Sequence, residues 1–168
     1  AKSVELPVVE IELKELDKVE FIVIKRFDRT LNSPKDVSRL HQEDFCQALG
    51  ISYSKKYEAH GGPRFQDCFK LLQNVSINPI EDAENLLRWL MFNFLAGNAD
   101  AHAKNLALLY NNQHKPQLAP FYDLVCTRAI KSISRKLAMS IGGEDDPDLI
   151  TLKHWQKLAE DCDIRGTY

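Results

Sequence analysis

Gly97-Asn98-Ala99-Asp100-Ala101-His102-Ala103-Lys104-Asn105 is the stretch on which the reading of this chain turns. It places a carboxylate, an imidazole, an amine and two amides in one short polar segment. Upstream lies an apolar run through Leu86, Leu87, Leu90 and Phe94. Downstream lies a second apolar run, Leu106-Ala107-Leu108-Leu109-Tyr110. A polar loop held between two rigid elements is where reactive groups concentrate. Asp100 and Asn105 have the D-x-x-x-x-N spacing of a phosphoryl-transfer loop. In that chemistry the Asp accepts the acceptor hydroxyl's proton and the Asn amide oxygen ligates Mg²⁺. A hard cation prefers oxygen donors, which suits an amide and a carboxylate better than Cys or His. The spacing by itself is weak, because 13 Asp and 9 Asn give roughly 0.7 such pairs by chance. A polar loop capping a helix has the same appearance.

A second carboxylate strengthens the chemical reading. After Tyr110 the turn Asn111-Asn112-Gln113-His114-Lys115 and the run Gln117-Leu118-Ala119-Pro120 predict a hairpin. Asp123 follows at once, in Pro120-Phe121-Tyr122-Asp123-Leu124. Kinase-like folds place a metal-binding Asp directly after the hairpin that follows the catalytic loop. Read alone, Asp123 serves equally as a turn-capping residue.

Working outward, helices are predicted at 64–75, with Phe65, Cys68, Phe69, Leu72 and Val75 on one face, and from Asn78-Pro79 to Gly97. Glu81 and Asp82 suit the first turn of the latter. It is apolar nearly all round after Leu86, which predicts a buried central helix. A further helix is expected near 148–161 around Leu152, Trp155 and Leu158, after the acidic loop Gly142–Asp146. Ser33-Pro34 with Val37, Leu40, Phe45, Ala48 and Leu49 predicts a helix from 33 to Gly50. The first thirty residues predict a hairpin, with strands at Val8–Leu13 and Phe21–Ile24 and a turn at Glu15–Lys18. Lys25-Arg26-Phe27-Asp28-Arg29 closes it with a charge cluster around one aromatic. The pattern is α+β and mostly helical, in one domain.

Composition sets the outer bounds. The 168 residues carry 22 Lys+Arg and 24 Asp+Glu, a net charge of −2, with 44% hydrophobic and 27% charged residues. Such a chain is neither a disordered tail nor a low-complexity fibre. It lacks the basic excess of a dedicated nucleic-acid binder. Cys46, Cys68, Cys126 and Cys162 form no CxxC pair and have no His at zinc-finger spacing, so they read as small hydrophobes in a reducing, cytoplasmic compartment. No apolar run reaches the length of a membrane span, and no signal-peptide core is visible. Asn74-Val75-Ser76 matches a glycosylation sequon by chance. The missing initiator Met fits a processed chain or a fragment.

Six blocks in order carry a family resemblance: Arg26–Arg29, Arg39-Leu40-His41-Gln42-Glu43-Asp44-Phe45-Cys46-Gln47-Ala48-Leu49-Gly50, Lys56-Tyr57-Glu58 with Gly61-Gly62-Pro63, Asn98–Asn105, Leu118–Asp123, and Leu137–Gly143. Across roughly residues 4–143 the chain resembles the HipA-type serine/threonine kinases, toxins of bacterial toxin–antitoxin modules. The resemblance implies a protein-kinase-like C-terminal lobe. Residues 1–29 would be a hairpin remnant of the N-lobe and hinge, and 30–168 the helical lobe. It implies ATP and Mg²⁺ as cofactors and a protein Ser/Thr hydroxyl as acceptor. Asp100 would be the catalytic base, and Asn105 and Asp123 the metal ligands. His102, Lys104 and Tyr122 would neighbour the phosphates. Lys25, Arg26 and Phe27 would lie at the adenine, with Asp28 as a structural or ribose-side carboxylate. His41, Gln42 and Glu43 would sit on a helix after the hinge, either as a packed polar network or near catalysis. A helix-turn-helix antitoxin would be the companion, with DNA reached only through it and no membrane involved.

Departures accompany the resemblance. About twenty residues precede Phe21, and they contain no Gly. A phosphate-covering loop, its regulatory Ser and a strand Lys are therefore absent from these residues, and Lys2, Lys14 and Lys18 lack the strand context. Lys25 stands where a Glu is common. The chain alone is expected to be inactive, as part of a longer kinase. A split or degenerate kinase-like binding module and a small-molecule phosphotransferase on the same fold are the alternatives.

Overall fold

A computed structural model describes residues 1–111 and 113–164. Strands β1 (Ile11–Leu16) and β2 (Val19–Ile24) pair antiparallel with Leu16 opposite Val19. Asp17 and Lys18 both take positive φ, 51° and 66°, as a two-residue primed turn requires. The predicted hairpin is thus present, with its first strand three residues later than expected. The segment before it is tied down separately. Val9 N–H donates to Phe121 O at 3.0 Å and Phe121 N–H to Pro7 O at 2.8 Å.

The expected helix from 33 to Gly50 does not form. Strands β3 (Arg29–Ser33) and β4 (Asp36–Arg39) make a second hairpin around Pro34 and Lys35. Strand β5 (Gln42–Asp44) follows, then the one-turn helix α1 (Phe45–Ala48). His41, Gln42 and Glu43 are accordingly on a strand and its approach, not on a helix. Ser-Pro suits a turn as well as a helix start. The true N-cap is Asp44, whose Oδ1 accepts from Gln47 N–H at 2.9 Å, while Gln47 Oε1 accepts from Asp44 N–H at 2.9 Å. Long-range pairing decides the rest. Gln42, Glu43 and Asp44 lie opposite Leu109, Leu108 and Ala107 of β6 (Ala107–Tyr110). Strand β7 (Pro116–Leu118) pairs on the other edge of β6, so the predicted later hairpin is present. Its turn includes Asn112, which lies outside the described residues.

Helices α2 (Phe65–Val75) and α3 (Pro79–Ala96) form as predicted. They pack with the three-stranded sheet around Phe45, Phe65, Leu72, Leu86, Trp89 and Phe121, each 0–1% exposed. Asp82 is buried in this core, where its Oδ2 accepts from Ser76 Oγ and, at 2.8 Å, from Leu118 N–H. That bond fastens α3 to β7. The expected central helix is buried on one face, through Leu86, Trp89 and Leu90, but beyond Leu86 its other face leaves Met91 and Leu95 51% and 78% exposed. Helix α4 (Leu152–Asp161) starts later than expected, because Thr151 is its N-cap. Leu158 is buried and Trp155 meets Phe94 edge-on at 5.5 Å, but Leu152 is exposed.

The architecture is α+β, with about 35% helix, short 3₁₀ turns included, and 22% strand among the described residues. The expectation of a mostly helical chain is not met, chiefly because residues 29–44 form strands. Cys46, Cys68 and Cys162 are buried free thiols and Cys126 is an exposed one. Among the described residues no helix is long and apolar enough to cross a membrane.

Candidate active site

The Asp100 segment begins where α3 stops. Gly97 ends the helix at φ +70°, its N–H turned back to Asn93 O and Phe94 O. A Cβ here would lie 2.9 Å from Arg128 Cβ, so the close passage of residues 127–128 also needs Gly. Asn98 is a buried strut. Its Nδ2 donates to Asn93 Oδ1 at 2.7 Å and to Asp123 O at 3.3 Å, and its Oδ1 accepts from Asp100 N–H at 3.2 Å. Ala99 N–H donates to Thr127 Oγ1 at 2.8 Å. The backbone leading into Asp100 is therefore fixed before its side chain makes any contact.

Asp100 is 45% exposed at the side chain, and its Oδ1 accepts from Tyr57 Oη at 2.7 Å. Five residues on, a tight turn at Ala103–Asn105 carries Asn105 inward. Asn105 Oδ1 accepts from His102 N–H at 3.0 Å, and its Nδ2 donates to Asp123 Oδ2 at 2.7 Å. Asp123 adopts φ +59°, a left-handed conformation that Asp tolerates better than most residues. The structure thus brings together the two residues read as metal ligands, 18 positions apart.

His102 is buried, and burial followed by the nearby Lys56 charge lowers its pKa. Its Nδ1 has no hydrogen-bond partner among the described residues, and its Nε2 lies 3.9 Å from Asp100 Oδ1. Its ring is packed edge-on against Tyr57 behind the loop. Lys104 pairs with Asp44 Oδ2 at 2.7 Å, which also ties the loop to the cap of α1. Tyr122 Oη donates to Lys104 O at 2.7 Å, and burial pushes its hydroxyl up to about 12.

Two openings meet this row of groups. The first, of 370 Å³, is lined by Val9, Ile24, Lys25, Arg26, Phe27, Asp28, Gln42 and Tyr122. Phe27 and Tyr122 stack there with centroids 6.1 Å apart. Arg26 makes a bidentate bond to Asp28 at 2.7 and 2.6 Å, and Arg29 donates to the same carboxylate. Lys25 reaches away to the exposed Glu10 at 3.1 Å. The second opening, of 350 Å³, is lined by Asp100 with Tyr57, His60, Ile133, Lys136, Leu137 and Asp145 among others. Asp123 is next to Tyr122 of the first cavity, and Asp100 belongs to the second. A cavity with an aromatic pair in its wall, and a half-exposed carboxylate in a second opening, can bind a planar base and receive a proton from an acceptor.

Comparison with known proteins decides the family. The family model of the HipA-like C-terminal domain matches residues 1–167. The chain belongs to the HipA-like C-terminal domain family. Among its relatives, "Putative kinase Y4mE" of Sinorhizobium fredii is 42% identical over 164 residues, 98% of this chain and 39% of that protein. "Serine/threonine-protein kinase toxin HipA" of Shewanella oneidensis is 33% identical over 162 residues, 89% of this chain and 37% of that protein. In structure, the chain is similar to HipA in a complex of Shewanella oneidensis HipA, HipB and operator DNA. The TM-score is 0.90 at 31% identity, covering 98% of this chain and 41% of that one. The chain spans about two fifths of the length of the relatives it matches.

The sequence reading assigns no role to Tyr57, which it treats as part of a loop motif, and it places Gln42 on a helix. Asp100, the partner of Tyr57, lies 43 positions away, and Gln42 pairs across strands with Leu109, so local spacing carries no signal for either.

Proposed function

We propose that the protein carrying this domain is a serine/threonine protein kinase of the HipA toxin type, transferring the ATP γ-phosphate to a protein hydroxyl. The observation that carries this reading is the 2.7 Å contact between Asn105 Nδ2 and Asp123 Oδ2. It sets a carboxylate and an amide side by side, with Asp100 on the same loop facing an open cleft. Phosphoryl transfer needs this division of labour, because little covalent chemistry falls to the protein and positioning with charge compensation does most of the work. Asp100 would take the proton of the acceptor hydroxyl as its oxygen attacks the γ-phosphorus. The Phe27–Tyr122 pair would offer an aromatic surface to the adenine, beside the backbone of Lys25 and Arg26. His102 and Lys104 would shape the phosphate side of the loop.

The residues fit a hard cation. Asn105 and Asp123 offer oxygen donors, and the amide oxygen keeps a second lone pair beyond the one facing His102 N–H. Bound Mg²⁺ would neutralise charge on the phosphates. Residues 1–29 would be the hinge and the near edge of an N-terminal lobe. The HipA–HipB–DNA neighbour supports a DNA-binding antitoxin as partner, with DNA reached through it, and a cytoplasmic setting accords with that.

Replacing Asp100 by Ala in the full-length protein should abolish phosphoryl transfer while nucleotide still binds. The double change Asn105→Ala and Asp123→Ala should remove Mg²⁺-dependent nucleotide binding, read by calorimetry with and without the metal. Undiminished transfer by Asp100→Ala would overturn the assignment.

A further inference from the structure

The loop holding Lys56-Tyr57-Glu58 and Gly61-Gly62-Pro63 has no part in the reaction as described, yet through Tyr57 it touches the catalytic segment. Tyr57 Oη donates to Asp100 Oδ1 at 2.7 Å across 43 positions. The Tyr57 ring stands edge-on to His102 with centroids 5.2 Å apart, and edge-on to His60 at 5.7 Å. Lys56 Nζ lies 4.8 Å over its face. The Asp100 carboxylate, followed by burial, pushes the phenol above its ordinary value, so this hydroxyl remains a donor throughout the neutral range.

The backbone around Tyr57 is braced to the backbone around Asp100. Glu58 N–H donates to Ala138 O at 3.1 Å, and Ala138 N–H donates to Ala99 O at 2.9 Å. The Glu58 carboxylate accepts from Ser140 N–H at 2.7 Å and Ser140 Oγ at 2.8 Å. The residue after Tyr57 is thus linked through Ala138 to the residue before Asp100. From the other side, His60 and Gly62 N–H both donate to Tyr57 O, at 3.0 and 2.9 Å. A Cβ on Gly62 would stand 2.2 Å from Lys55 O and 2.6 Å from Tyr57 O, so only Gly lets the loop close this tightly. The phenol is delivered to Asp100 by a frame built from three separate sequence blocks.

A half-exposed carboxylate is free to rotate unless something holds it. Asp100 Oδ2 has no hydrogen-bond partner among the described residues. We propose that Tyr57 is a positioning residue for the Asp100 base: its hydroxyl pins Oδ1 and leaves Oδ2 turned to the acceptor in the cleft beside Ile133 and Leu137. In the step itself the acceptor O–H proton passes to Oδ2 as the acceptor oxygen bonds to the γ-phosphorus. The bond from phosphorus to the bridging oxygen breaks, its electron pair leaves with ADP, and Tyr57 keeps its proton. The proposal rests on the reading of Asp100 as base.

The test is ADP formation from ATP·Mg²⁺ by the full-length protein, with Tyr57→Phe and Asp100→Ala compared to wild type. Misplacement of a catalytic group by an ångström costs up to about 100-fold, so Tyr57→Phe should lower kcat about 10- to 100-fold with the KM for ATP within about twofold. In protein with ¹³C-labelled tyrosine, Asp100→Ala should bring the Tyr57 titration down toward the ordinary tyrosine range. An unchanged kcat in Tyr57→Phe, a rise in KM alone, or a Tyr57 titration indifferent to Asp100 would each overturn the positioning role. Full activity in Asp100→Ala would overturn the base assignment instead, so the two failures are distinguishable.

Discussion

Asp28 shows how a single residue ties one mouth of the candidate site to stability. It is 2% exposed and receives Arg26 through two nitrogens and Arg29 through one. Its backbone carbonyl accepts from Leu40 N–H at 3.0 Å, which closes the open end of the second hairpin. The hydrogen bonds from Arg26, with Arg29 adding to them, hold its carboxyl at about 2 instead of 3.8, against the opposing effect of burial. A folded-state value below the unfolded one means that folding favours the ionised form. The stabilisation is fully present above about pH 4 and is lost as pH falls toward 2. Urea midpoints measured across that range should drop more steeply for wild type than for Asp28→Asn. Parallel profiles would show that the clamp contributes nothing. At this scale the candidate site was partly legible. Asp100, Asn105 and Asp123 stand close together in a recognisable order. Tyr57 carried no local signal, since its contact is made across 43 positions.

Among the elements, α3 connects the core to the site. Its buried face runs from Asp82 through Leu86, Trp89 and Leu90 to Asn93, and Asn93 in turn receives Asn98. Leu86 is 0% exposed. Leu86→Ala should destabilise the domain by about 2–5 kcal/mol, measured by urea unfolding. A loss below about 1 kcal/mol would mean that α3 is not the central support described. The helices α2 and α3 were legible because their caps and apolar period are local: Pro79 at the first turn, Gly97 at the end. Residues 33–49 misled because Val37 and Leu40 fit a helical period, while Val37 is in fact 52% exposed on a hairpin. No local signal there competes with the pairing of β5 to a strand more than sixty residues away.

At the scale of the whole molecule, the first hairpin stands apart from the core. Ile11, Leu13, Ile22 and Ile24 share one face and Leu16, Val19, Phe21 and Val23 the other, and all are at least 36% exposed. A two-stranded ribbon cannot bury either face by itself, and an exposed apolar patch of this kind promotes association. A separated 168-residue chain should therefore self-associate, as read by light scattering after size-exclusion chromatography. Leu13 lies directly opposite Ile22, so the pair Leu13→Lys and Ile22→Lys should shift it toward monomer without changing its unfolding midpoint. Persistent association in that variant would place the sticky surface elsewhere, for example at Ile80 and Leu95.

By itself the sequence determined the local objects: the existence of the first hairpin, the bounds of α2 and α3, the loop carrying Asp100 and Asn105, and the hairpin that delivers Asp123. Each depends on caps, turns and periods within a few residues, where backbone sterics and nearby hydrogen bonds suffice. Only the tertiary structure decided that residues 29–44 are strands, that Asn105 donates to Asp123, and that Tyr57 reaches Asp100. Those contacts exist because distant segments are packed together, and their energy is realised only after the chain has closed the loops between them.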